Sequence, residues 1–332
     1  MIEVLLTRPF QPRFVPHFTE IDGCRITYDL HPDEQTLKNA EVIIGLPTID
    51  ELRIAEDCKW LQTTNAGVNQ YTAHPELFEN RVLTNLSGAF GQSISEFSLA
   101  MVLMLYKHLH LYRDQQRENK WADLGLQDSP RDKHLLILGA GNIGCEAAKL
   151  FSMFTPHITG MRRTKRETPE YFEKMITPDE LDDELPNADI VLCALPESPE
   201  THKLMDERRL SLLKKTAILV NVGRGTLIDS DALAKVLNEG RILGAAIDVT
   251  DPEPLPASHP LWQCKNLILT PHITGGSIGH LAATEQALTD ICTGNLRRYV
   301  AGKPLLNRVD PQTGCRAIED RWVKGNDSED KK

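Results

Sequence analysis

The sequence lacks an excess of positive charge. Its 332 residues include 37 Lys and Arg compared with 47 Asp and Glu, and the formal net charge at pH 7 is −10. Nonspecific binding to nucleic acid or to an acidic membrane surface needs a basic face, which this balance does not supply. We therefore expect neither nucleic acid nor a membrane as a partner.

Clustered cysteines and long apolar runs are also lacking. The seven cysteines are scattered, odd in number and without a Cys-x-x-Cys pair, so they predict neither a disulfide framework nor a bound metal. The longest apolar stretch, residues 98–106, is too short to span a bilayer. The N-terminal segment lacks the basic region and long apolar core of a signal peptide, and we expect a cytoplasmic protein.

The chain is rich instead in short runs of Ile, Val and Leu that are followed by residues suited to chemistry. Five of these runs lie in its middle part, at residues 135–141, 190–196, 217–225, 244–254 and 266–272. Helix-patterned segments separate them, and this alternation predicts parallel strands that are buried on both faces. Ligands of open α/β sheets bind beyond the carboxyl ends of the strands, so we expect the functional site there.

The N-terminal part of the chain alternates in the same way but has no glycine-rich turn. Its predicted strands lie within residues 2–7, 25–30, 40–47, 58–68 and 81–88. A chain of this length usually forms more than one domain. We predict an α/β protein with two Rossmann-like, doubly wound parallel-sheet domains and a cleft between them. The substrate domain comprises residues 1–95 and 278–332, and the dinucleotide-binding domain comprises residues 96–277.

Two long helices are predicted near the domain boundaries. Residues 93–119 have a helical pattern whose first half is apolar on nearly every side, which indicates a helix buried between domains or subunits. Ser93 lies three residues before Glu96, the spacing of a capping box that would begin this helix. The second helix is predicted within residues 276–304, where Gly302 and Pro304 end it.

A glycine-rich turn links the apolar run at residues 135–138 to a helical pattern. It has the form G-x-G-x-x-G and consists of Gly139, Ala140, Gly141, Asn142, Ile143 and Gly144. In this strand–turn–helix setting the pattern is typical of a dinucleotide site. The first glycine permits the turn, the second lets the backbone approach the pyrophosphate, and the third allows close packing of helix and strand. Backbone N–H groups at the start of the helix then face the phosphate charge.

The position expected to bind the adenosine ribose lacks an acidic residue. An acid about twenty residues beyond the first glycine would accept from the ribose 2′-hydroxyl. A further strand is predicted within residues 157–166, and this position holds Met161, Arg162, Arg163 and Thr164, followed by Lys165 and Arg166. A carboxylate repels a 2′-phosphate, whereas guanidinium groups bind one. We predict NADP(H) as the preferred cofactor and NAD(H) as the alternative; a solvated basic loop is the other interpretation of these residues.

Charged side chains follow three of the predicted central strands. Arg224 lies between two glycines, and its cation suits an anionic substrate and a polarised carbonyl. His272 ends another apolar run, and Glu253 in the preceding loop is a candidate partner for it. A carboxylate bonded to one imidazole nitrogen fixes the tautomer and favours the protonated ring, which suits a proton donor near neutral pH. Asp248, at the same edge, can accept from a carboxamide.

Four motifs in this order resemble the D-isomer-specific 2-hydroxyacid dehydrogenase family: GAGNIG, VNVGRGTLID, IDVTDPEPLP and LTPHITGGS. The resemblance implies that Arg224 binds the substrate carboxylate and carbonyl, that His272 is the acid/base, and that Glu253 orients it. It implies that the substrate carboxylate is bound by backbone amides of Asn65, Ala66, Gly67 and Val68. With Asp248 at the nicotinamide, the remaining predicted cofactor contacts are Pro196, Val222, Gly223, Arg224, His272 and Gly275.

The resemblance implies a homodimeric, NADP(H)-dependent enzyme that reversibly reduces a small 2-oxo acid to the D-2-hydroxy acid. Glyoxylate and hydroxypyruvate are the leading substrates. The choice of 2-oxo acid depends on loops near Leu46, Pro47, Tyr71 and Ser277, whose shape the sequence leaves open. The alternatives are a dinucleotide-sensing regulatory protein, like the corepressors that share this fold, and a relative of formate dehydrogenase. The complete Glu–His pair favours keto-acid chemistry over both.

Overall fold

The computed structural model describes residues 1–164, 167–275 and 281–314, and the chain forms two compact units. The N-terminal unit contains Met1–Phe90 and Gly276–Lys332. Residues 1–90 of this unit are all described, and residues 281–314 are the described part of its second segment. The central unit is Gly91–Gly275. The predicted domain boundaries after residues 95 and 277 stay predictions. Lys165, Arg166 and Ser277, which the sequence singled out, lie outside the described residues.

Twelve strands lie in the described ranges, and all but one of them overlap a predicted apolar run. They are β1 (Ile2–Leu6), β2 (Cys24–Tyr28), β3 (Val42–Gly45), β4 (Trp60–Thr63), β5 (Val82–Thr84), β6 (Leu135–Leu138), β7 (Ile158–Met161), β8 (Lys174–Ile176), β9 (Ile190–Cys193), β10 (Ile218–Asn221), β11 (Gly244–Ile247) and β12 (Leu267–Leu269). The exception is β8, a short edge strand whose first side chain is exposed, so it has no apolar pattern to predict it.

The described ranges also contain eleven α-helices. They are α1 (Pro16–Thr19), α2 (Glu34–Asn39), α3 (Ile49–Ile54), α4 (Asn69–Thr72), α5 (Gly91–Tyr106), α6 (Leu109–Arg117), α7 (Asn142–Phe151), α8 (Leu181–Glu184), α9 (Glu207–Leu212), α10 (Ser230–Asn238) and α11 (Ala282–Val300). Short 3-10 helices occupy Pro75–Phe78, Pro178–Glu180, Leu185–Asn187, Gly225–Leu227 and Pro260–Gln263. Among the described residues, no helix combines the length and hydropathy that a membrane crossing requires.

Both sheets are parallel along every described pair of strands. The strand order is β2-β1-β3-β4-β5 in the N-terminal unit and β12-β11-β10-β9-β6-β7-β8 in the central unit. In each sheet the strands that directly follow the first one in the chain lie on one side of it, and the later strands lie on its other side. This places a switch point between β1 and β3 and another between β6 and β9, where α/β sheets bind ligands. The predicted α/β class with two doubly wound parallel sheets is confirmed.

The central strands end in register. Leu138 of β6 pairs with Cys193 of β9, which pairs with Asn221 of β10, and Ile247 of β11 and Leu269 of β12 continue the row. Side chains of β6, β9, β10 and β11 are buried along the whole of each strand, as expected where helices cover both faces. The loops that follow these strands therefore leave the sheet along one line, which we call the carboxyl edge of the central sheet.

The long helix α11 returns the chain to the N-terminal unit, as predicted. Leu288, Ile291 and Leu296 are buried in the same apolar cluster as Leu6 and Ile44 of the sheet. A polar contact adds to this packing, because the buried Asn295 donates to the side-chain oxygen of Gln62 at 2.9 Å. The helix is thus an integral part of the N-terminal core.

The prediction of one helix over residues 93–119 is wrong in two respects. Two helices, α5 and α6, occupy this region, and His108 between them has φ +54°, a left-handed backbone that ends α5. The predicted capping box is also absent, because α5 begins at Gly91. Ser93 instead donates its hydroxyl to the carbonyl oxygen of Thr274 at 2.8 Å.

Candidate active site

The glycine-rich turn lies at the switch point of the central sheet. Gly139, directly after β6, has φ +109°, a conformation that L side chains rarely adopt. A Cβ atom on Gly139 would lie 2.7 Å from the carbonyl oxygen of Ala194, on the loop after β9. A Cβ on Gly144 would overlap the carbonyl oxygen of Gly139. The first and third glycines are therefore required by the packing of the turn.

The middle glycine, in contrast, borders open space. No described atom lies within 4 Å of a Cβ built on Gly141, the N-cap residue of α7. No described side chain caps this helix, so the N–H groups of its first residues, Asn142 and Ile143, are available to an anion. The turn thus fits the pyrophosphate of a dinucleotide, which could approach the backbone without meeting a side chain.

The predicted ribose-binding residues have different surroundings. Met161 ends β7 and its side chain is buried in the core of the central unit. Arg162 donates from Nε and Nη2 to the carbonyl oxygen of Ala140, at 2.9 and 2.6 Å, so its guanidinium is fixed against the glycine-rich turn. Arg163 and Thr164 are exposed, and Arg163 forms no hydrogen bond or ion pair with any described residue. Within the described part of this segment, Arg163 thus has no hydrogen-bond partner, and its charge acts on the nearby carboxylate of Glu200, whose pKa is lowered first by its own hydrogen bonds and then also by Arg163.

A buried amide holds the loop that carries Arg224. Asn221, the last residue of β10, donates from Nδ2 to the carbonyl oxygen of Arg224 at 2.9 Å and accepts at Oδ1 from the Gly223 N–H at 3.1 Å. The Arg224 guanidinium donates once within the described chain, from Nη1 to the carbonyl oxygen of Gly223 at 2.7 Å. Its remaining donors are available to a ligand.

Glycines let the loops along the carboxyl edge pack directly on one another. A Cβ on Gly223 would lie 2.6 Å from the carbonyl oxygen of Leu195, and a Cβ on Gly225 would overlap the carbonyl oxygen of Thr250. The loops after β9, β10 and β11 are therefore in mutual contact. These loops carry Pro196, Arg224 and Glu253, so the fold brings these predicted residues to adjacent positions.

His272 and Glu253 are hydrogen-bonded to each other. The distance between Nδ1 of His272 and Oε1 of Glu253 is 2.8 Å, and both side chains are about half exposed. Because Glu253 engages Nδ1, the other ring nitrogen, Nε2, is left for a substrate. The predicted pairing is thus present in the structure, at the end of the loop after β12.

Asp248 has a different environment from the one expected of a cofactor contact. It is the first residue after β11 and is 2% exposed. Its carboxylate accepts four hydrogen bonds, from the hydroxyl of Thr270 (2.6 Å), the N–H of Ile273 (2.9 Å), and the N–H and hydroxyl of Thr274 (3.0 and 2.7 Å). Its backbone carbonyl accepts from the N–H of His272 at 2.8 Å. All of these donors belong to the loop that carries His272.

The remaining predicted cofactor contacts lie along the same edge. Pro196 is exposed on the loop after β9, and its carbonyl oxygen accepts from the Thr201 hydroxyl at 2.8 Å. Val222 is buried directly after β10. Gly275 follows Thr274 and is partly buried at the end of the His272 loop. Within the described ranges, no group of three or more His, Cys, Asp or Glu side chains is arranged to hold a metal ion.

The predicted carboxylate-binding residues 65–68 form the loop after β4 in the N-terminal unit. Their carbonyl groups point to local donors: the Thr63 hydroxyl and the Leu86 N–H donate to the oxygen of Asn65, at 2.9 and 3.1 Å. The side chain of Asn85 donates to the oxygen of Ala66 at 2.8 Å. No described residue accepts from the backbone N–H groups of residues 65–68. This is the arrangement that an anion-binding loop requires.

The loops expected to shape the substrate pocket are also joined. The hydroxyl of Tyr71 donates to the carbonyl oxygen of Pro47 at 2.9 Å, which ties the loop after β3 to α4. Burial raises the pKa of Tyr71 far above its ordinary value, so this phenol is neutral and keeps its proton for the bond.

Sequence reasoning missed the residues that position the candidate site rather than line it. Asn221 had one signal, a polar residue that ends an otherwise apolar strand. Thr270 and Thr274 had none, because hydroxyl residues are common in loops, and Ser93 was assigned to a helix cap instead of the bond to Thr274. Their function as supports depends on contacts that only the folded chain creates.

Known proteins share this fold and these sequence features. The family model described as D-isomer specific 2-hydroxyacid dehydrogenase, NAD binding domain, matches residues 99–274. The glyoxylate/hydroxypyruvate reductase B of Serratia proteamaculans is 30% identical over 312 residues, which are 90% of this chain and 94% of that protein.

Two crystal structures extend the comparison. A D-isomer specific 2-hydroxyacid dehydrogenase family protein from Aeromonas salmonicida is 30% identical with a TM-score of 0.83, covering 93% of this chain and 99% of that one. A D-isomer specific 2-hydroxyacid dehydrogenase from Xanthobacter autotrophicus, in complex with NADPH and MES, is 26% identical with a TM-score of 0.79. That alignment covers 95% of this chain and 99% of the Xanthobacter chain.

Proposed function

We propose a reaction for this chain, which belongs to the D-isomer-specific 2-hydroxyacid dehydrogenase family and is an oxidoreductase with a nicotinamide-dinucleotide-binding domain. The reaction is the reversible, NADPH-dependent reduction of a small 2-oxo acid to the D-2-hydroxy acid. The observation that carries this proposal is the 2.8 Å hydrogen bond between His272 and Glu253. It lies on the same carboxyl edge as Arg224 and the glycine-rich turn.

His272 supplies the proton in this reaction. The bound dinucleotide supplies the hydride, which adds to carbon 2 of the oxo acid. Nε2 of the protonated His272 ring donates to the carbonyl oxygen, which becomes the hydroxyl, and the ring is left neutral. In the oxidation direction, the neutral Nε2 accepts the same proton from the hydroxyl. Glu253 holds Nδ1 throughout, so it keeps Nε2 as the reacting nitrogen and offsets the charge of the imidazolium.

Arg224 binds and polarises the substrate. Its guanidinium donates to only one described acceptor, so it has donors left for both the carboxylate and the carbonyl oxygen of an oxo acid. Negative charge grows on that oxygen as hydride arrives, and a fixed cation stabilises it. The N–H groups of residues 65–68, for which no described residue is an acceptor, suit the substrate carboxylate, as the family resemblance implies.

A preference for NADP(H) over NAD(H) is supported by three observations. Residues 162–166, directly after β7, include no acid, the residue type that would repel a 2′-phosphate at this place. Arg163 is exposed and has no hydrogen-bond partner among the described residues, and Arg162 holds a second positive charge beside the glycine-rich turn. The Xanthobacter autotrophicus relative was crystallised with NADPH.

Glyoxylate and hydroxypyruvate are the substrates we propose, supported by the name of the Serratia proteamaculans relative. The test is the oxidation of NADPH by the purified protein with a panel of 2-oxo acids of increasing size, each repeated with NADH. We expect the highest kcat/KM with NADPH and a two- or three-carbon oxo acid. Equal or better rates with NADH would contradict the cofactor assignment, and turnover confined to bulkier acids would contradict the substrate assignment.

A homodimer and a cytoplasmic location complete the proposal. Three large apolar side chains are exposed in or after α6: Leu109 (53%), Trp121 (104%) and Leu126 (97%). We call this group the apolar arm, and a second copy of the chain would cover it. The cysteines for which the structure gives a state are all free, which suits a reducing compartment.

A further inference from the structure

We infer that Arg8 of the N-terminal unit selects 2-oxo acids that carry an oxygen on carbon 3, so that hydroxypyruvate is preferred over pyruvate. The inference rests on the proposed function, because it concerns the substrate of that reaction. It starts from three buried polar atoms that have no hydrogen-bond partner among the described residues. These atoms are Oγ1 of Thr7, Nε of Arg8 and Oγ1 of Thr64.

The three residues lie at the switch point of the N-terminal sheet. Thr7 and Arg8 directly follow β1, Thr64 directly follows β4, and β3 lies between these two strands. The N–H of Thr7 donates to the carbonyl oxygen of Ile44 in β3 at 3.1 Å. The N–H of Thr64 donates to the carbonyl oxygen of Gly45, the last residue of β3, at 3.3 Å. The unpartnered atoms are thus at the edge where α/β sheets bind ligands.

The backbone that carries Arg8 is held firmly. The carbonyl oxygen of Arg8 accepts from the N–H of Phe10 at 2.9 Å, and Phe10 is buried in the apolar cluster of the N-terminal unit. The N–H of Gln11 donates to the carboxylate of Glu285, a buried residue of α11, at 2.7 Å. The loop after β1 is therefore a rigid support for the cation, as a selective site requires.

The guanidinium of Arg8 has unused donors. The residue is partly buried, and its side chain forms no hydrogen bond or ion pair within the described part of the chain. A guanidinium has five N–H donors and no acceptor, and it keeps its charge at every pH of interest. A buried donor without an acceptor is costly, so a ligand that supplies an acceptor oxygen gains affinity here.

Arg8 lies beside the residues expected to shape the substrate pocket. Burial raises the pKa of the Tyr71 phenol, and the nearby positive charge of Arg8 acts in the opposite direction. The same phenol donates to the carbonyl oxygen of Pro47 at 2.9 Å, so Arg8 is a neighbour of both α4 and the loop after β3. The N–H groups of residues 65–68, which we propose as ligands of the substrate carboxylate, follow Thr64 directly.

The spacing of the strands suits a short acid. Neighbouring strands lie about 4.8 Å apart, so the ends of β1 and β4 are separated by about 10 Å. Residues 65–68 follow one end and Arg8 follows the other, and the long arginine side chain occupies part of this interval. A small oxo acid whose carboxylate is bound at residues 65–68 therefore has its carbon 3 within reach of the guanidinium.

A hydroxyl on carbon 3 satisfies the unpartnered groups. It accepts from the guanidinium of Arg8 and can donate to a threonine oxygen, whereas the methyl group of pyruvate does neither. A site built to bond a substrate hydroxyl rejects the analogue that lacks it, because the polar groups of the site are then left unpaired. Glyoxylate has no carbon 3 and makes no such contact.

The experiment compares hydroxypyruvate with pyruvate, which differ by one hydroxyl. The ratio of their kcat/KM values with NADPH is measured for wild type, Arg8→Met and Thr64→Val. One control, Arg25→Met, removes an exposed arginine of β2 that pairs with Glu3 at 2.9 Å. The other, Thr293→Val, removes a buried hydroxyl that is bonded within α11 at 2.8 Å.

A binding measurement accompanies the kinetics. The Kd values of D-glycerate and D-lactate, which differ by the same hydroxyl, are measured by calorimetry in the presence of NADPH, with which neither product reacts. Urea denaturation checks the folding of each variant. Because the side chains of Arg8 and Thr64 make no hydrogen bond within the described ranges, we expect Arg8→Met and Thr64→Val to unfold at the same urea concentration as wild type.

We expect wild type to favour hydroxypyruvate over pyruvate by about tenfold or more, the value of a hydrogen bond to a charged group. In Arg8→Met this ratio should fall by about tenfold, and in Thr64→Val by a smaller factor. Both controls should keep the wild-type ratio. The preference for D-glycerate over D-lactate should change in the same direction as the kinetic ratio.

A wild-type ratio near one would overturn the inference, and so would an equal loss for the two substrates in Arg8→Met. If Arg8→Met does not fold, Arg8→Gln and Thr64→Val decide, and a wild-type ratio in both would overturn it. Wild-type protein that reduces no 2-oxo acid would contradict the proposed function. The Kd values of the two products would then test the contact with Arg8 by themselves.

Discussion

The guanidinium of Arg162 is hydrogen-bonded through both Nε and Nη2 to the carbonyl oxygen of Ala140, inside the glycine-rich turn. The cation that follows β7 is therefore part of the structure of this turn, whereas its neighbour Arg163 is exposed and forms no such bond with a described residue. The two adjacent arginines thus differ in their contacts, and we predict that they differ in function.

Separate alanine variants should reveal this division. Arg163→Ala is expected to raise the Kd of NADPH by about tenfold or more, the value of a charge-assisted hydrogen bond, and to leave the Kd of NADH nearly unchanged. Arg162→Ala should weaken both cofactors, because it also loosens the turn. Fluorescence titration measures both constants, with the exposed Arg131→Ala as the control. An equal loss for the two cofactors in Arg163→Ala would contradict a 2′-phosphate contact.

Proton transfer should depend on His272. His272→Ala is expected to lower kcat for reduction by about a hundredfold or more, the usual contribution of a general acid. The matched control is His157→Ala, which removes an exposed imidazole whose Nδ1 lies 3.2 Å from a carboxylate oxygen of Glu173. Steady-state kinetics at saturating NADPH measures the effect. A kcat in His272→Ala within a few-fold of the control would exclude His272 as the acid.

The partner carboxylate should act through the position of the ring. Glu253→Gln keeps the size of the side chain but removes the negative charge that Nδ1 of His272 meets at 2.8 Å, so kcat for reduction is expected to fall, though by less than in His272→Ala. Glu173→Gln, which alters the control pair on the surface, should leave kcat unchanged. Steady-state kinetics at saturating NADPH measures both variants. A kcat for Glu253→Gln equal to that of wild type would show that the 2.8 Å bond has no catalytic effect.

Asp229 should make the stability of the central unit depend on pH. Its carboxylate bonds Lys203 at 2.9 Å and caps α10 through the N–H of Ala232 at 3.1 Å, and these bonds, the Lys203 bond first, lower the pKa of Asp229. A lowered pKa in the folded state adds stability at pH values above the unfolded pKa of about 4, and this stability is lost as the pH falls through the folded pKa.

Asp229→Ala is therefore expected to cost about 1 kcal/mol of unfolding free energy at pH 7, the usual value of an N-cap, and clearly less at pH 3. Lys203→Met keeps the cap and should cost less at pH 7, because the side chain of Lys203 is more than half exposed and water weakens its ion pair. Urea denaturation at the two pH values measures both. If Asp229→Ala lost the same unfolding free energy at pH 7 and at pH 3, the charge of Asp229 would not contribute to the stability of the central unit.

The apolar arm should control assembly. Wild-type protein is expected to be a dimer at micromolar concentration, because Trp121 and Leu126 are almost fully exposed in the single chain. Replacing both by Glu should shift light scattering toward the monomer mass. Met153→Glu, a substitution at another strongly exposed apolar residue that lies outside the arm, is the control. A monomeric wild type, or a double variant that stays dimeric, would contradict the proposal.

The sequence by itself determined where most strands lie and what chemistry their ends carry. Runs of buried aliphatic residues such as those of β6 and β10 are readable without coordinates, because a strand covered on both faces needs apolar side chains at every position. Arg224, Glu253 and His272 were readable for a related reason. Residues that follow such strands in a parallel sheet gather at one edge.

Only the tertiary structure decided how those residues are held. The break at His108, the edge strand β8, the Arg162 bond to Ala140 and the four hydrogen bonds to Asp248 have no local signature in the sequence. The last three depend on partners supplied by another part of the fold; Asp248 and Thr270, for example, are 22 positions apart in the sequence. Local patterns report the burial and periodicity of one segment, whereas a hydrogen bond between segments depends on their register and distance in the folded chain.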